Sequence, residues 1–290
     1  MGALVWSGPV FAQSEYPPLR ERLDPEFLEV VWEELRAEFP DAPVPGPATK
    51  AKKVALVVVD ITAPREPKVA SINGDVMMYA ASLPKIAILL GAFVQIERGR
   101  MTLDEALREQ LTRMIRNSSN KAATAVLHQV GFDTLADILQ SERYSLYDPE
   151  YNGGLWVGKD YGGAKAWKRD PLHGISHGAT AMQVARFYYL LITGRLVSPK
   201  HTKDMLEILS DPALQHKFVK GLKQDNPDAA LYRKSGTWRV FHSDSSIVID
   251  KHYRYIAVAI GEHPQWGAGL VRIVQAVDEV VERLHVPTPK

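Results

Sequence analysis

The chain has 290 residues, 24% of them charged and 46% hydrophobic, and contains no cysteine. Lys and Arg (35) balance Asp and Glu (34) to a formal net charge of +1, which removes the electrostatic footprint of a dedicated nucleic-acid binder. Without cysteine there is no disulfide framework, thiolate nucleophile or cysteine metal site, and no run of 18 apolar residues offers a membrane span.

Met1 to Ala12 is uncharged and mostly apolar, and Val10-Phe11-Ala12 reads as a small-residue cleavage site. Residues 1–13 are therefore expected to be a signal-peptide remnant, although no Lys or Arg precedes the apolar stretch. Phe27, Val31 and Leu35 recur at helical spacing within Pro25–Phe39, and the Pro-rich Asp41–Pro47 reads as a stiff connector. Val54–Ile61 is a β-branched apolar run suited to a buried strand. Lys68–Ile72 is a second strand, ending at the Asn73-Gly74 turn. Leu83–Ile96 is helical and almost wholly apolar. Thr102 to Glu105 forms a capping box before Leu103, Leu107, Leu111 and Met114. Ala122–Val130 and Asp133–Leu139 continue the helical pattern.

Tyr144–Gly178 loses periodicity and is rich in glycine and aromatics. Thr180 caps a helix to Leu191, and Ser198-Pro199 opens another to Leu209. Leu231–Arg239, Ser245–Asp250 and Tyr255–Ile260 read as an antiparallel meander. Leu270, Ile273, Val274, Val277, Val281 and Leu284 form one face of a closing helix. The predicted fold is α/β (α+β). One antiparallel sheet is built from both chain ends and covered by the terminal helices, with an all-α lobe inserted. The expected domain is a single two-lobed unit over 14–290, with an α/β lobe (14–79 and 213–290) and a helical lobe (80–212).

Three short motifs carry the chemistry: Ser82-Leu-Pro-Lys85, Ser118-Ser-Asn120 and Lys234-Ser-Gly236-Thr237. Singly they are weak. Ser118 and Lys121 also fit S-x-x-K, and Ser71-Ile-Asn73 repeats S-x-N. Lys-Ser/Thr-Gly is expected roughly 0.15 times by chance in such a chain. Position adds information. Ser82 falls where an extended segment meets the apolar helix, and Lys85 lies one turn on, facing the same way. A lysine in an apolar helix is costly unless it is paired or its pKa falls, and a lysine of lowered pKa beside a serine is a base–nucleophile pair. The plainer readings are an N-cap serine with an exposed lysine, Ser119 or Asn120 as a second cap, and a bulge at Gly236 in what should be an edge strand.

Together these motifs resemble the serine β-lactamase and penicillin-binding protein superfamily, most closely class A. Element order and the stretch Met101–Leu127 share the resemblance. The Ser82–Ser118 interval of 118 − 82 = 36 residues is shorter than is usual there. The resemblance implies an acyl-enzyme at Ser82, Lys85 as general base, and Ser118 passing a proton to the leaving nitrogen. Asn120 would hold the substrate amide and Lys85, and Lys234 and Ser235 the substrate carboxylate. The backbone N–H groups of Ser82 and Thr237, beside Gly236, would form the oxyanion hole. It also implies a bacterial, periplasmic or secreted monomer without cofactor or metal, acting on β-lactams or D-alanyl peptides. An esterase or amidase on the same scaffold and a penicillin-binding sensor or carboxypeptidase are the alternatives.

Two departures stand out. Ser119 replaces the usual aspartate, and no Glu-x-x-x-Asn precedes Thr180. Slow deacylation is therefore expected, with Lys85 acting twice or Glu150, Asp160, His173 or His177 substituting for the missing glutamate. Gly153 to Lys159 nearly spells a phosphate loop. Asp160 stands where Ser/Thr is required, and Gly162-Gly163 blocks the helix that must follow. His173 and His177 have i, i+4 spacing, but they sit in a glycine-containing loop without a third ligand.

Overall fold

The computed structural model describes residues 16–39, 54–163 and 165–287. The apolar N-terminal segment and the Asp41–Pro47 connector lie outside these residues. Helix α1 (Pro25–Glu38) starts at Asp24, whose carboxylate accepts from Phe27 N at 2.9 Å, and it buries Phe27, Val31 and Leu35. Strands β1 (Val54–Asp60) and β2 (Lys68–Ile72) follow. From the far end of the chain come β8 (Ala230–Trp238), β9 (Phe241–Ile249) and β10 (Arg254–Glu262). All five form one antiparallel sheet in the order β2-β1-β10-β9-β8, with Val54 opposite Gly261 and Asp60 opposite Tyr255. Strand β8 is an edge of the sheet, as expected.

Both faces of the sheet are covered, which is why β1 reads as an unbroken apolar run. Leu56, Val58, Ile72, Ala257 and Ala259 face the terminal helices α1 and α9 (Trp266–His285). Val57, Val59, Ile256, Val258 and Ile260 face the opposite way, into the core shared with the inserted helices.

The insertion is organised around α2 (Lys85–Glu97), in which every residue from Lys85 to Gln95 is buried. Strand β3 (Met78–Tyr79) leads into it. Helices α3 (Glu105–Arg116), α4 (Asn120–Val130) and α5 (Phe132–Gln140) follow. The long aperiodic loop folds as short strands. Strand β4 (Tyr147–Asp148) pairs with β5 (Gly153–Gly154), while β6 (Trp156–Val157) and β7 (His177–Ala179) join β3 in a three-stranded sheet. Buried Asp170 ties the loop together, accepting from Tyr147 Oη and from the N–H groups of Leu172, His173 and Ile175. Helix α6 (Ala181–Ile192) packs on the sheet, and α7 (Pro199–Leu209) returns beside α3.

Three local expectations change. The N-cap of α3 is Asp104, accepting from Leu107 N at 2.8 Å, so Thr102 caps nothing. Aspartate caps at least as well as threonine, and it stands immediately before the helix. Helix α2 begins at Lys85, not Leu83, leaving Ser82-Leu83-Pro84 as a tight turn. An unexpected helix, α8 (Phe218–Asp225), precedes β8. Its eight residues bury Phe218, Val219, Gly221 and Leu222, too short a stretch for periodicity to register. Among the described residues no helix is long and apolar enough to cross a membrane.

Candidate active site

Ser82 lies in the turn joining β3 to α2. Ala81 before it has φ +53°, a left-handed conformation that costs a non-glycine residue about 1–2 kcal/mol. Lys85 Nζ lies 3.1 Å from Ser82 Oγ, so the one-turn spacing does bring amine and hydroxyl together. The same amine reaches Ser118 O at 2.6 Å and Asn120 Oδ1 at 2.8 Å, with Ser118 Oγ at 3.4 Å. Ser118 is also left-handed, at φ +57°. Between it and Asn120, Ser119 caps α4 by accepting from Ala122 N at 3.2 Å. The cap thus presents its two neighbours to Lys85, so the structural and chemical readings of this motif hold together.

Strand β8 closes the other side. Lys234 Nζ donates to Ser118 Oγ at 2.9 Å and to Ser235 O at 2.7 Å. A Cβ on Gly236 would stand 2.2 Å from Ala80 O and 2.8 Å from Ser82 N, so only glycine lets the edge strand approach the serine turn this closely. Ser82, Lys85, Ser118, Asn120 and Lys234 therefore form one hydrogen-bonded constellation.

Its electrostatics are one-sided. Burial lowers the Lys85 pKa to about 7. Lys234 is pushed well below the usual lysine value by burial, and further by Lys85 and Arg233. Among the described residues no hydrogen bond or ion pair joins a carboxylate to Ser82, Lys85, Ser118 or Lys234. The neighbouring carboxylate, Asp244, is committed to Arg233 at 2.7 Å. A neutral Lys85 has two N–H bonds to give, and Ser118 O and Asn120 Oδ1 take both. Its lone pair is left facing Ser82 Oγ, the arrangement a general base needs.

The model of the β-lactamase enzyme family matches residues 44–110 and 106–283. The chain belongs to that family. It is a serine hydrolase of the serine β-lactamase and penicillin-binding protein superfamily. Among solved structures, a β-lactamase from Sphaerobacter thermophilus aligns with TM-score 0.68 at 15% identity, covering 90% of this chain and 99% of that one. PBP-A aligns with TM-score 0.68 at 18% identity, covering 92% and 99%. A class A representative from Bacteroides cellulosilyticus aligns with TM-score 0.65 at 15% identity, covering 88% and 96%. These likenesses show the fold. Among curated protein sequences none matches.

In this β-lactamase-family protein the four acid–base candidates of the loop are dispersed. Glu150 is exposed in a 3-10 turn, its N–H donating to Asp148 Oδ1. Asp160 pairs with His128 at 2.7 Å, and exposed His173 lies 3.2 Å from Asn152 O. His177 alone lies near the lysines. It is buried, with Nε2 3.1 Å from Lys159 O and a pKa lowered to about 4, chiefly by burial.

Two residues at the site escaped the sequence reading. Lys217 is buried and donates to Gly236 O (2.6 Å), Thr237 Oγ1 (2.8 Å) and Ser243 O (3.1 Å), bracing the β8 segment beside Ser82. Burial lowers its pKa to about 8. Tyr161 presents its ring 4.5 Å from Lys85 Nζ and packs against the His177 ring at 4.2 Å. Thr124, one turn after Asn120 on α4, clamps its backbone from both sides, accepting from Tyr161 N at 3.1 Å and donating to Tyr161 O at 3.2 Å. The Tyr161 hydroxyl is buried and has no hydrogen-bond partner among the described residues. Only the fold could reveal either residue, since each sits in an irregular segment without a motif.

Proposed function

We propose that the protein acylates Ser82 with β-lactams or D-alanyl peptides and releases the acyl group slowly. One observation carries the reading: Lys85 Nζ is 3.1 Å from Ser82 Oγ while two carbonyl oxygens hold its other hydrogens. Ser82 Oγ attacks the carbonyl carbon as its proton passes to Lys85. The C–N bond then breaks, with the proton reaching the leaving nitrogen through Ser118, whose hydroxyl touches both Lys85 and Lys234. The N–H groups of Ser82 and Thr237 receive the oxyanion, consistent with the close approach at Gly236.

An anionic substrate suits the surroundings. Lys217, Lys234 and Arg233 share Asp244 as their nearby carboxylate, and Lys85 adds a further cation beside Lys234. A substrate carboxylate at Ser235 and Thr237 would offset that buried positive charge.

Deacylation needs a base that reaches a water on the acyl-enzyme. Asp160 and His173 are engaged elsewhere, Glu150 is exposed in its 3-10 turn, and His177 with a pKa of about 4 is a weak base. That leaves Lys85 to act twice. Losing a dedicated base costs about 10²–10⁴-fold. Among the described residues no carboxylate bonds to Ser82, Lys85, Ser118 or Lys234, which also favours a second reading, a penicillin-binding sensor or carboxypeptidase on the same chemistry. A PBP-A mutant has been solved as its acyl-enzyme with penicillin G, at 18% identity and TM-score 0.69.

Intact-mass spectrometry after incubation with benzylpenicillin and a cephalosporin tests the proposal. A persistent adduct that maps to Ser82 and is absent from Ser82→Ala is expected. Fast turnover without an adduct refutes slow release. Neither adduct nor hydrolysis transfers the site to ester or amide substrates.

A further inference from the structure

Lys85 is walled on one side by an aromatic ring. Its amine has four hydrogen-bonding neighbours among the described residues, all supplied by Ser82, Ser118 and Asn120. Tyr161, from the loop between β6 and β7, closes another side, with its ring centre 4.5 Å from Nζ. Lys85 has no exposed surface while Tyr161 keeps 9% of its own, so the ring is the outer layer of the two.

The ring is fixed from two directions. Thr124 bonds both the N–H and the carbonyl of Tyr161, and the His177 imidazole lies against the ring at 4.2 Å. A buried tyrosine ordinarily finds a partner for its hydroxyl, and this one has none among the described residues. The polar end therefore does not hold the residue in place, and what the position uses is the ring. The titratable groups facing Lys85 are Lys234 from β8, His177 from β7 and Tyr161 itself. A ring face attracts an ammonium, which on its own would raise the Lys85 pKa. Burial instead lowers it to about 7, so exclusion of water outweighs that attraction.

We propose that the Tyr161 ring is a positioning group for the Ser82–Lys85 pair, a shield that keeps water off the amine and so keeps it able to take a proton. The proposal rests on the reading of Lys85 as general base, but the shielding itself is a property of the free protein.

Lysine labelled with ¹³C at Cε reports the titration of the amine by NMR, and loss of a signal in Lys85→Arg assigns Lys85. Wild type should titrate near pH 7. Tyr161→Phe keeps the ring and should titrate at the same pH. Tyr161→Leu excludes water without a ring face and should titrate no higher. Tyr161→Ala admits water and should titrate about one pH unit higher. Its acylation rate constant with benzylpenicillin should then be about fivefold below wild type at pH 7 and equal to it at pH 9, because the neutral fraction at pH 7 falls from about one half to about 9%. Thr124→Val releases the clamp without opening a cavity and should move the titration upward as well. A titration unchanged or lowered in Tyr161→Ala, or in Thr124→Val where the alanine variant does not fold, overturns the proposal. So does a rate loss that is equal at every pH, the mark of a merely structural role. An upward shift in a protein whose Ser82 is not acylated by benzylpenicillin counts against the acylation reading alone.

Discussion

The pH dependence of acylation tests the central claim most directly. Lys85 must be neutral to take the Ser82 proton, and burial sets its pKa at about 7. The sign follows from the charge. Lowering the pH protonates the amine, removes the lone pair and stops proton transfer. The neutral fraction is about one half at pH 7, about 9% at pH 6 and about 1% at pH 5. The second-order acylation rate constant should fall in that proportion, with a unit slope below pH 6. Stopped-flow traces with a chromogenic cephalosporin between pH 5 and 9 give the profile. The first, single-exponential phase is read, so slow release does not interfere. A rate constant that stays flat to pH 5 refutes Lys85 as base.

Other perturbations follow from the same geometry. Gly236→Ala places a Cβ 2.2 Å from Ala80 O, so the β8 edge must retreat; stability in denaturant unfolding should fall by about 1–3 kcal/mol, and acylation of the remaining folded protein at least about a hundredfold, the scale of losing one oxyanion donor. Arg233→Met strands Asp244 in a fully buried position and should cost about 3–5 kcal/mol in denaturant unfolding; a loss under 1 kcal/mol would mean the pair is not buried in solution. Tyr161→Phe removes only a hydroxyl without a partner, so stability should hold or rise by about 1 kcal/mol; a clear loss by calorimetry would show that the hydroxyl has a partner.

What the sequence revealed divides along physical lines. The helix from Pro25, the strand from Val54 and the closing helix were readable because each buries a regular stripe or a continuous run. Ser82 and Lys85 were readable because one helical turn relates them, and Lys234-Ser235-Gly236 because the residue types are contiguous. Lys217 was not, since its role comes from three acceptors on β8 and β9, reached from a residue with φ +54° ahead of a short helix. Tyr161 was missed for a related reason. Its partners, Thr124 and His177, lie on other elements, and such proximity has no linear signature. The capping box at Thr102 failed because a better cap stood two residues on.

The pairing of β1 with β10 also constrains how the chain folds. Val54 and Gly261 are neighbours across the middle of the sheet, yet 261 − 54 = 207 residues separate them in sequence. Closing a loop of that length costs about 5 kcal/mol of chain entropy before any contact is rewarded. Strand β1, buried along its whole length in the finished protein, has only β2 beside it until β10 has been synthesised. The sheet therefore assembles late, after translation of nearly the entire chain, and slowly, as contacts between distant segments dictate. Until then an apolar strand edge stays open to pairing with other chains. A truncation that removes β10 would leave the central strand unpaired on that side, so loss of the C-terminal segment should yield an aggregating polypeptide and not a smaller enzyme.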